Sequence, residues 1–473
     1  MSLQTRPSYS AGGATPDSRV QKFNVDDSLQ GECKRSDEQG LRRHASSSND
    51  DDDESMQPHP KPYHHQSGAD YPDGGKDAWL TVLGGFLAMI AGLGYTSSFA
   101  VFEAYYLTHQ FAGSASVGPN DVAWIGAINL WGTFGLGIPA GILLDRLGPK
   151  VPMTIGLVFV VVGTMMNSLA SDHFYEFLLS QGLCCAIGYG MVFNPAVSLP
   201  NQYFFKKRGV VNGLVVGGTS VGGVIWPVIL DRMLNHSTLG FAWAVRIAGF
   251  IQLALLLAAT LLLKARLPLH QIKGPPPFGK MFTDTRYVLF IIATLIAFFG
   301  LYAPYIFISA YGVQHGSSVT NSFYMSAALN AGSFFGRFII GALADRVVGF
   351  FNMMTISCFL TAMVAYAWSG VSDSAGNYVW GTVYGFLSGG VISLLSPCVA
   401  PLAASPQQIG QYVGVGTSLA ALGALGSGPI AGRLVANYPG NYVPAQMFVA
   451  TVILVGSLVY AACRVTVSRA WRI

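Results

Sequence analysis

The chain alternates between long apolar stretches and short polar ones along most of its length. After a polar beginning, apolar residues dominate from Trp79 through Leu107, and eleven similar stretches follow. A helix needs about 20 mainly apolar residues to cross a bilayer, and each stretch has roughly that length. The pattern therefore predicts an all-α polytopic membrane protein with twelve membrane-spanning helices. The later stretches cover residues 120–144, 151–170, 174–199, 209–231, 241–263, 286–311, 320–343, 350–370, 377–400, 412–435 and 444–463.

The predicted helices fall into two similar halves. A glycine, three further residues and an Asp-Arg pair occur twice, 200 residues apart. Parallel repeats of this kind are typical of transporters built from two six-helix halves. We therefore expect helical bundles over residues 73–264 and 286–463, joined by a central loop at 265–285. The repeated residues are Gly141, Asp145, Arg146 and Gly341, Asp345, Arg346.

Charge is scarce and one-sided. Only 11% of the residues are charged, against about 25% in a typical soluble domain. If twelve helices alternate in direction, nearly all Lys and Arg fall on one side, with Arg232 and Arg433 as the main exceptions. The positive-inside rule then predicts that both termini are cytoplasmic. The basic positions lie in the first tail, at 146–150, 206–208, 264–286 and 346, and in the short last tail at 464–473.

The first 72 residues differ from the rest in being polar and of low complexity, with an acidic run at 50–54. Such a segment buries too little apolar surface to offset its chain entropy, so we expect a disordered cytoplasmic tail. It has no apolar region typical of a signal peptide. The six cysteines lack metal-binding spacing and are expected to serve in packing, apart from one in the tail.

The fifth predicted helix begins with a basic cluster, formed by Lys206, Lys207 and Arg208. An uncharged run follows, in which glycines repeat at a spacing of four. On a membrane helix this spacing aligns small residues in rows, so that another helix backbone can approach closely. The cations cannot enter hydrocarbon cheaply and so fix which end of the helix is at the water. The two rows contain Gly213 and Gly217, and Gly218 and Gly222.

The stretch YFFKKRGVVNGLVVGGTSVGG resembles the fifth-helix signature of the monocarboxylate transporter family, a branch of the major facilitator superfamily. PDGGKDAWLTVLGGF resembles that family's first-helix signature, although Lys76 and Asp77 break its usual spacing. The resemblance covers about residues 73–463 and implies a secondary transporter that works by alternating access. The matching positions in the first signature are Asp73, Gly74, Gly75 and Trp79.

The stretch GILLDRLGPK resembles the superfamily's loop motif between helices 2 and 3. This resemblance implies a gate latch in which a carboxylate and cations interact with neighbouring helix ends. An ordinary positive-inside turn with a capping Asp is the alternative. The gating candidates are Gly141, Asp145, Arg146, Lys150, Lys206, Lys207, Arg208, Asp345 and Arg346.

Arg337 is the most informative single residue, because it lies within an apolar helix. A buried guanidinium is costly and usually faces a cavity or a partner. Asn330 and Ser333 share its face at helical spacing. In the resembled family an Arg at this place binds the substrate carboxylate, which suits bidentate recognition; pairing with a gate carboxylate is the alternative. The other substrate-binding candidates are Tyr95, Ser97, Phe99 and Asn194.

Two departures from the resembled family bear on proton coupling. Its animal members carry an Asp one turn before the Arg and a Lys in helix 1, where this chain has Ser333 and, near the aligned position, Ser97. We therefore expect weak or absent proton coupling, and the fungal branch of the family fits better. Glu103 is the remaining candidate for coupling, since burial raises the pKa of a carboxylic acid; it could equally lie at the outer mouth. Asn194-Pro195 and Ser396-Pro397 predict breaks in helices 4 and 10.

Together these observations predict a secondary active or facilitative transporter of a small organic solute, such as a monocarboxylate-like anion. The alternatives are an exporter of a secondary metabolite and a membrane sensor with the same fold. No catalytic, metal or phosphate-loop pattern occurs, so the sequence favours no enzyme and predicts no cofactor and no nucleic-acid partner. We expect the lipid bilayer and a small-molecule substrate as partners, and the sequence leaves open whether an accessory membrane protein takes part. We expect the plasma membrane as the location, with the vacuole or another organelle as the alternative.

Overall fold

The computed structural model describes residues 71–112, 117–171, 173–267, 278–438 and 440–467. Within these ranges twelve helices are long and apolar enough to cross a membrane, which confirms the predicted number and the all-α class. The helices are α1 (Lys76–Gln110), α2 (Asp121–Leu147), α3 (Lys150–Asn167), α4 (Phe174–Tyr203), α5 (Arg208–Asn235), α6 (Gly240–Leu262), α7 (Thr285–Gln314), α8 (Asn321–Val348), α9 (Phe350–Gly370), α10 (Ser374–Leu402), α11 (Pro406–Asn437) and α12 (Val443–Val467).

The two halves meet along two helix pairs. Within the first half α5 packs on α1 and α3 packs on α4 and α6, while within the second half α8 packs on α10 and α12 on α7 and α9. Between the halves α2 packs on α11, and α5 packs on α8. Because the sequence repeat relates α2 to α8 and α5 to α11, the two interfaces are counterparts of each other.

The two glycine rows of α5 face different neighbours. A Cβ atom at Gly213 would lie 2.3 Å from the carbonyl oxygen of Arg337 in α8. A Cβ atom at Gly218 would lie 2.3 Å from the carbonyl oxygen of Phe86 in α1. Both distances are far shorter than real Cβ contacts, so only glycine allows these approaches. One row therefore holds α5 within its own half, and the other holds it against the second half.

Several spanning helices are interrupted, although not where the prolines predict. In α1 a π-helical segment covers Ile90–Gly94, and a turn follows at 97–98. In α7 the α-helix ends at Leu301 and a second one begins at Ala303. By contrast, the helical backbone runs through Pro195 and Pro397 without interruption, so the predicted breaks there are wrong. A proline removes only its own hydrogen-bond donor, and neighbouring helices can support the rest of the turn.

The residues before α1 dock on the loop between α4 and α5. The main-chain N–H groups of Phe205 and Lys206 donate to Asp73 Oδ1 over 2.7 and 2.8 Å. Asp73 holds a positive φ of 48°, and its own N–H donates to the carbonyl of Tyr203 over 3.1 Å. The ring of Tyr71 is buried and lies 5.4 Å from that of Phe205. Of the predicted disordered tail only 71 and 72 are described, and they belong to the non-helical segment that leads into α1 at Lys76. The remainder, like 268–277 and 468–473, lies outside the described residues.

We call the end of the bundle where α1 begins and α12 ends the basic end. It carries the exposed cations Lys150, Lys206, Lys207 and Arg346. The loop between α4 and α5 and the Asp-Arg pairs of α2 and α8 all lie at this end. This clustering is the arrangement that the one-sided Lys and Arg distribution predicts.

Candidate functional site

Arg337 lies in α8 on the face that packs against α5. Its Nη1 donates to the carbonyl of Val216 and to the hydroxyl of Thr219, both in α5. The side chain is only 4% exposed, and no carboxylate among the described residues pairs with it. An unpaired charge at mid-membrane costs about 3 kcal/mol even on the lenient insertion scale. Here two neutral acceptors from the other half of the protein reduce that cost.

One edge of the Arg337 guanidinium makes no hydrogen bond to the described residues. Nε is buried and has no hydrogen-bond partner among the described residues. Nη2 likewise makes no described hydrogen bond, since both bonds start from Nη1. The Nε–Nη2 edge offers two parallel donors, which is the geometry that carboxylates bind bidentately. Nε and Nη2 of Arg337 therefore keep hydrogen-bond donors that are available to an anion.

Two tyrosines of α7 lie near Arg337: Tyr302 at the interruption in that helix, and Tyr305 in the helix that follows it. Tyr302 and Tyr305 are near enough to act electrostatically on the guanidinium. The Tyr305 hydroxyl donates to Ser333 Oγ over 3.2 Å and lies 3.0 Å from Ser388 Oγ. Both tyrosine side chains are half-buried. The region around Arg337 is thus aromatic and neutral, apart from the guanidinium itself.

The residues predicted to share the face of Arg337 divide between two neighbours. Asn330 packs against Gly223 of α5, and its Nδ2 donates to the Ser326 carbonyl over 3.0 Å. Ser333 is fully buried against α10, where a Cβ atom at Gly389 would lie 2.7 Å from its Oγ. Asn330 therefore lies along the interface with α5, whereas Ser333 acts on the site through Tyr305.

The helix-1 candidates lie near the turn in α1. The Tyr95 ring packs against Phe102 and Trp226, at centroid distances of 5.7 and 5.1 Å, and so belongs to the aromatic core of the first half. Ser97 is exposed, and its Oγ donates to the Leu93 carbonyl over 2.8 Å. Phe99 packs on Gly126 of α2. Of these three, only Ser97 is freely accessible.

Glu103 lies toward the end of α1 that is opposite the basic end. Its side chain is half-buried, and no hydrogen bond or ion pair joins it to the described residues. Six residues lie between it and Gln110, the last residue of α1. This placement is compatible with the outer-mouth alternative and does not bring Glu103 to Arg337.

The repeated aspartates join the two halves at the basic end. Asp345 of α8 accepts from the N–H groups of Gly209 and Val210 at the start of α5, over 2.8 Å each. Asp145 of α2 accepts from the Gln411 N–H in the first turns of α11, over 2.8 Å. A carboxylate is stabilised at a helix N-terminus by free N–H groups and by the helix dipole. Each aspartate therefore links the halves through main-chain donors.

Glycines bring these helix ends together. A Cβ atom at Gly209 would lie 2.3 Å from the Gly341 carbonyl oxygen, and one at Gly141 would lie 2.3 Å from the Gly410 carbonyl oxygen. Asn194, which was predicted at the substrate site, adds to the interface of α2 and α11: its Nδ2 donates to the carbonyls of Gly137 and Gly410 over 3.2 Å each.

The predicted gating cations behave differently from the aspartates. Arg208 is buried, and its Nε donates to the Phe204 carbonyl over 2.9 Å at the end of α4. Its guanidinium also lies 5.1 Å from the centroids of the Tyr71 and Phe205 rings. Arg146 is half-buried, and the four other candidate cations are exposed. Arg208 thus supports the turn that positions the start of α5.

Sequence reasoning missed a polar contact between α4 and α10. Asn201 Nδ2 donates to Ser396 Oγ over 2.8 Å, and Ser396 Oγ donates to the Val197 carbonyl over 3.0 Å. Asn212 of α5 donates to Asn201 Oδ1 over 2.9 Å. Isolated Asn and Ser residues in apolar runs were the available signal, but nothing in the sequence paired them.

A small cavity lies between the halves next to this contact. Its volume is about 20 Å³, and Phe193, Val197, Val216, Ile392 and Ser396 contribute to its lining. That volume is enough for about one water molecule. A solute does not fit in a cavity of this size. The aspartate links and the close glycine contacts hold the two halves together at the basic end.

Two six-helix halves that meet around a buried charge and close against each other at one end form the architecture of a membrane transport protein. The chain belongs to the Major Facilitator Superfamily, whose family model matches residues 84–428. It is a multi-pass membrane protein, and its function is that of a transporter within this superfamily.

Similar proteins come from filamentous fungi. The aspyridones efflux protein of Emericella nidulans is 38% identical over 390 residues, which cover 82% of this chain and 78% of that protein. The agnestins efflux protein of Paecilomyces divaricatus is 33% identical over 392 residues, covering 82% and 88%. The fujikurins efflux protein of Gibberella fujikuroi is 33% identical over 403 residues, covering 83% of each. These relatives confirm the fungal affiliation but do not confirm the monocarboxylate branch.

Solved structures agree with the fold. The human organic anion transporter MFSD10 superposes with a TM-score of 0.62 at 17% identity, over 81% of this chain and 98% of that one. The E. coli fucose:proton symporter superposes with a TM-score of 0.61 at 16% identity, over 82% and 98%. At such identities the likeness establishes the fold alone.

Proposed function

We propose that the protein exports a small organic anion by alternating access. The observation that carries this proposal is Arg337, a buried guanidinium between the halves. It has no described carboxylate partner, and one of its edges has no described hydrogen-bond partner. Export is supported by the names of the relatives, which are efflux proteins for fungal metabolites. This favours the alternative of secondary-metabolite export over our leading expectation of a monocarboxylate-like solute.

In this proposal the basic end faces the cytoplasm, with both termini on that side, and the structure corresponds to a carrier closed toward the cytoplasm. Asp145 and Asp345 would release the starts of α11 and α5 when the carrier opens inward. We propose that the other gating candidates also take part in this opening. Reporter fusions after residues 110, 206 and 345 should read outside, inside and inside. A reporter at 206 that reads outside would contradict this orientation.

The candidate residues at the substrate site have different roles in the proposal. Arg337 binds the anion, while Asn330 and Ser97 line the path, and Ser333 acts through Tyr305. Tyr95, Phe99 and Asn194 support the site through packing and helix contacts. Glu103 is the residue whose titration would couple export to protons, and we expect that coupling to be weak because Ser333 and Ser97 are uncharged. The plasma membrane is the proposed location.

The test compares metabolites inside and outside cells with and without the gene, at two external pH values, for wild-type protein and Arg337 variants. Arg337→Ala should abolish export. Arg337→Lys should weaken it severely, because Lys keeps the charge but lacks the planar fork. Arg433→Ala, which removes an exposed guanidinium, is the matched control and should export normally. Abundance at the membrane is measured in parallel; near-normal export by Arg337→Ala at normal abundance would refute the proposal.

A further inference from the structure

The bonds that Arg337 makes to α5 determine which of its donors remain for a solute. Resting on the proposed function, we propose that Thr219 is a positioning residue. It holds Arg337 so that the site selects a planar anion with two oxygens, carried on a flat conjugated body. Arg337 then binds the two oxygens through its Nε–Nη2 edge, beside Tyr302 and Tyr305.

The first step concerns the geometry of the guanidinium. A guanidinium has five N–H donors in one plane. The Val216 carbonyl and the Thr219 hydroxyl both occupy Nη1, so α5 obstructs an end-on approach to Nη1 and Nη2. The side-on edge, formed by Nε and Nη2, keeps two roughly parallel donors. The two coplanar oxygens of a carboxylate match this edge. A tetrahedral anion can also present two oxygens to it, but a further oxygen carries part of the charge out of the guanidinium plane.

The second step identifies Thr219 as the residue that fixes this orientation. Its hydroxyl donates to the Val216 carbonyl over 2.9 Å while it accepts from Arg337. A hydroxyl has one donor and two acceptor lone pairs, so it can do both at once. Thr219 thus joins the two acceptors of Arg337 into one fixed group. Valine would keep the shape and remove the acceptor, and serine would keep the hydroxyl.

The third step concerns the body of the solute. The rings of Tyr302 and Tyr305 lie 6.3 Å apart at 45°. Tyr302 also packs against Phe298 and Phe134, at 5.3 and 5.9 Å. Aromatic faces favour flat conjugated partners by stacking and by edge contacts. Together with the side-on edge of Arg337, they select an aromatic or conjugated anion over a compact aliphatic one.

The test uses the purified full-length protein in lipid nanodiscs and measures equilibrium binding of radiolabelled 2-naphthoate. Naphthalene-2-sulfonate and 2-naphthamide serve as competitors with the same flat body. The wild type should bind naphthoate about tenfold more tightly than the sulfonate, a difference of about 1.4 kcal/mol, and should bind the amide more weakly still. Equal binding of naphthoate and sulfonate, or no binding of naphthoate, would overturn the proposed substrate class.

The role of Thr219 is tested with three variants. Thr219→Val should weaken naphthoate binding about tenfold and bring the two acids closer in affinity, while Thr219→Ser should stay within about twofold of the wild type. Thr361→Val is the matched control, because Thr361 is also buried and its hydroxyl donates to the carbonyl of Ser357 in its own helix over 2.7 Å. Elution as a single species on size exclusion shows that each variant is folded.

The outcomes separate this inference from the proposed function. If Arg337→Lys abolishes naphthoate binding but Thr219→Val leaves both affinity and preference unchanged, then the positioning role is wrong while anion binding by Arg337 stands. If Arg337→Ala binds naphthoate as tightly as the wild type, the proposed function fails as well. If Thr219→Ser loses as much as Thr219→Val, the loss comes from packing, and the positioning role is again refuted.

Discussion

The link between Asp345 and the start of α5 gives the sharpest prediction. Asp345 accepts two main-chain N–H groups, each over 2.8 Å, across the interface of the halves. Asp345→Asn keeps the size of the side chain but removes its charge and turns an NH2 group toward one of these donors. Losing a charge-assisted hydrogen bond costs about 1.5–3 kcal/mol, and losing the helix-dipole interaction costs about 0.3–1 kcal/mol. These values overlap in origin, so we expect about 2–3 kcal/mol.

Because the bonds exist only while the halves are together at the basic end, this energy is lost from the closed form alone. Each 1.4 kcal/mol changes an equilibrium tenfold, so the closed form should lose roughly 30- to 140-fold relative to the form open at the basic end. Spin labels at Leu147 and Val347 report the change, since both are exposed and lie at the ends of α2 and α8. Pulsed electron paramagnetic resonance, on a variant without the native cysteines, should show a longer distance between the two labels gaining population in Asp345→Asn.

A matched control separates gate opening from general loss of stability. Asp284 accepts from the N–H of Arg286 over 3.0 Å and caps the start of α7 within the second half. Asp284→Asn likewise removes the charge of a carboxylate at a helix start, together with its ion pair to Arg286, but these contacts do not cross between the halves. It should therefore leave the distance distribution as in the wild type. The same distribution in Asp345→Asn and in Asp284→Asn would refute the role of Asp345 in holding the halves together.

Two further predictions follow from close contacts at the basic end. Gly209→Ala should lower export at least about tenfold and shift the spin-label distance distribution, because its Cβ atom would lie 2.3 Å from a carbonyl oxygen of α8. Gly416→Ala is the control, because the nearest atom to its Cβ lies at 3.7 Å, and it should change neither quantity. Equal effects of the two substitutions would contradict the prediction. Asp73→Ala should destabilise the protein by about 2 kcal/mol in thermal unfolding, because two main-chain donors lose a charged acceptor. Asp77→Ala breaks only an exposed ion pair with Lys264 and should cost about 0.5 kcal/mol or less; a larger loss for Asp77→Ala than for Asp73→Ala would show that the contact before α1 contributes little.

The architecture was predictable because hydrophobic length and charge placement act over whole helices. The repeated Asp-Arg pairs also located the basic-end contacts, since Asp145 and Asp345 recur at one spacing. The main-chain partners of these aspartates, by contrast, have no sequence signal, because every residue except proline carries an N–H. A sequence pattern therefore reveals the accepting aspartates but not the main-chain groups that donate to them.

The surroundings of Arg337 were predicted only in part for the same kind of reason. Helical periodicity placed Asn330 and Ser333 near its face, but it cannot tell which neighbouring helix each residue meets. The sequence analysis considered a substrate carboxylate or a gate carboxylate as the partner of Arg337, whereas Val216 and Thr219 of α5 provide neutral acceptors. A carbonyl of an apolar residue gives no pattern to detect, and Thr219 looked like any small residue in a glycine-rich run.

The main-chain donors that face Asp145 and Asp345 have a consequence for genetics. When two side chains form an ion pair, a charge swap or a second substitution in the partner can restore a lost contact. Here the hydrogen bonds that Asp145 and Asp345 make across the halves come from N–H groups of Gly209, Val210 and Gln411, which no substitution except proline removes. A selection for suppressors of an Asp345 defect should therefore recover few compensating changes at 209 or 210. It should instead recover substitutions at remote sites that alter the balance between the two end states.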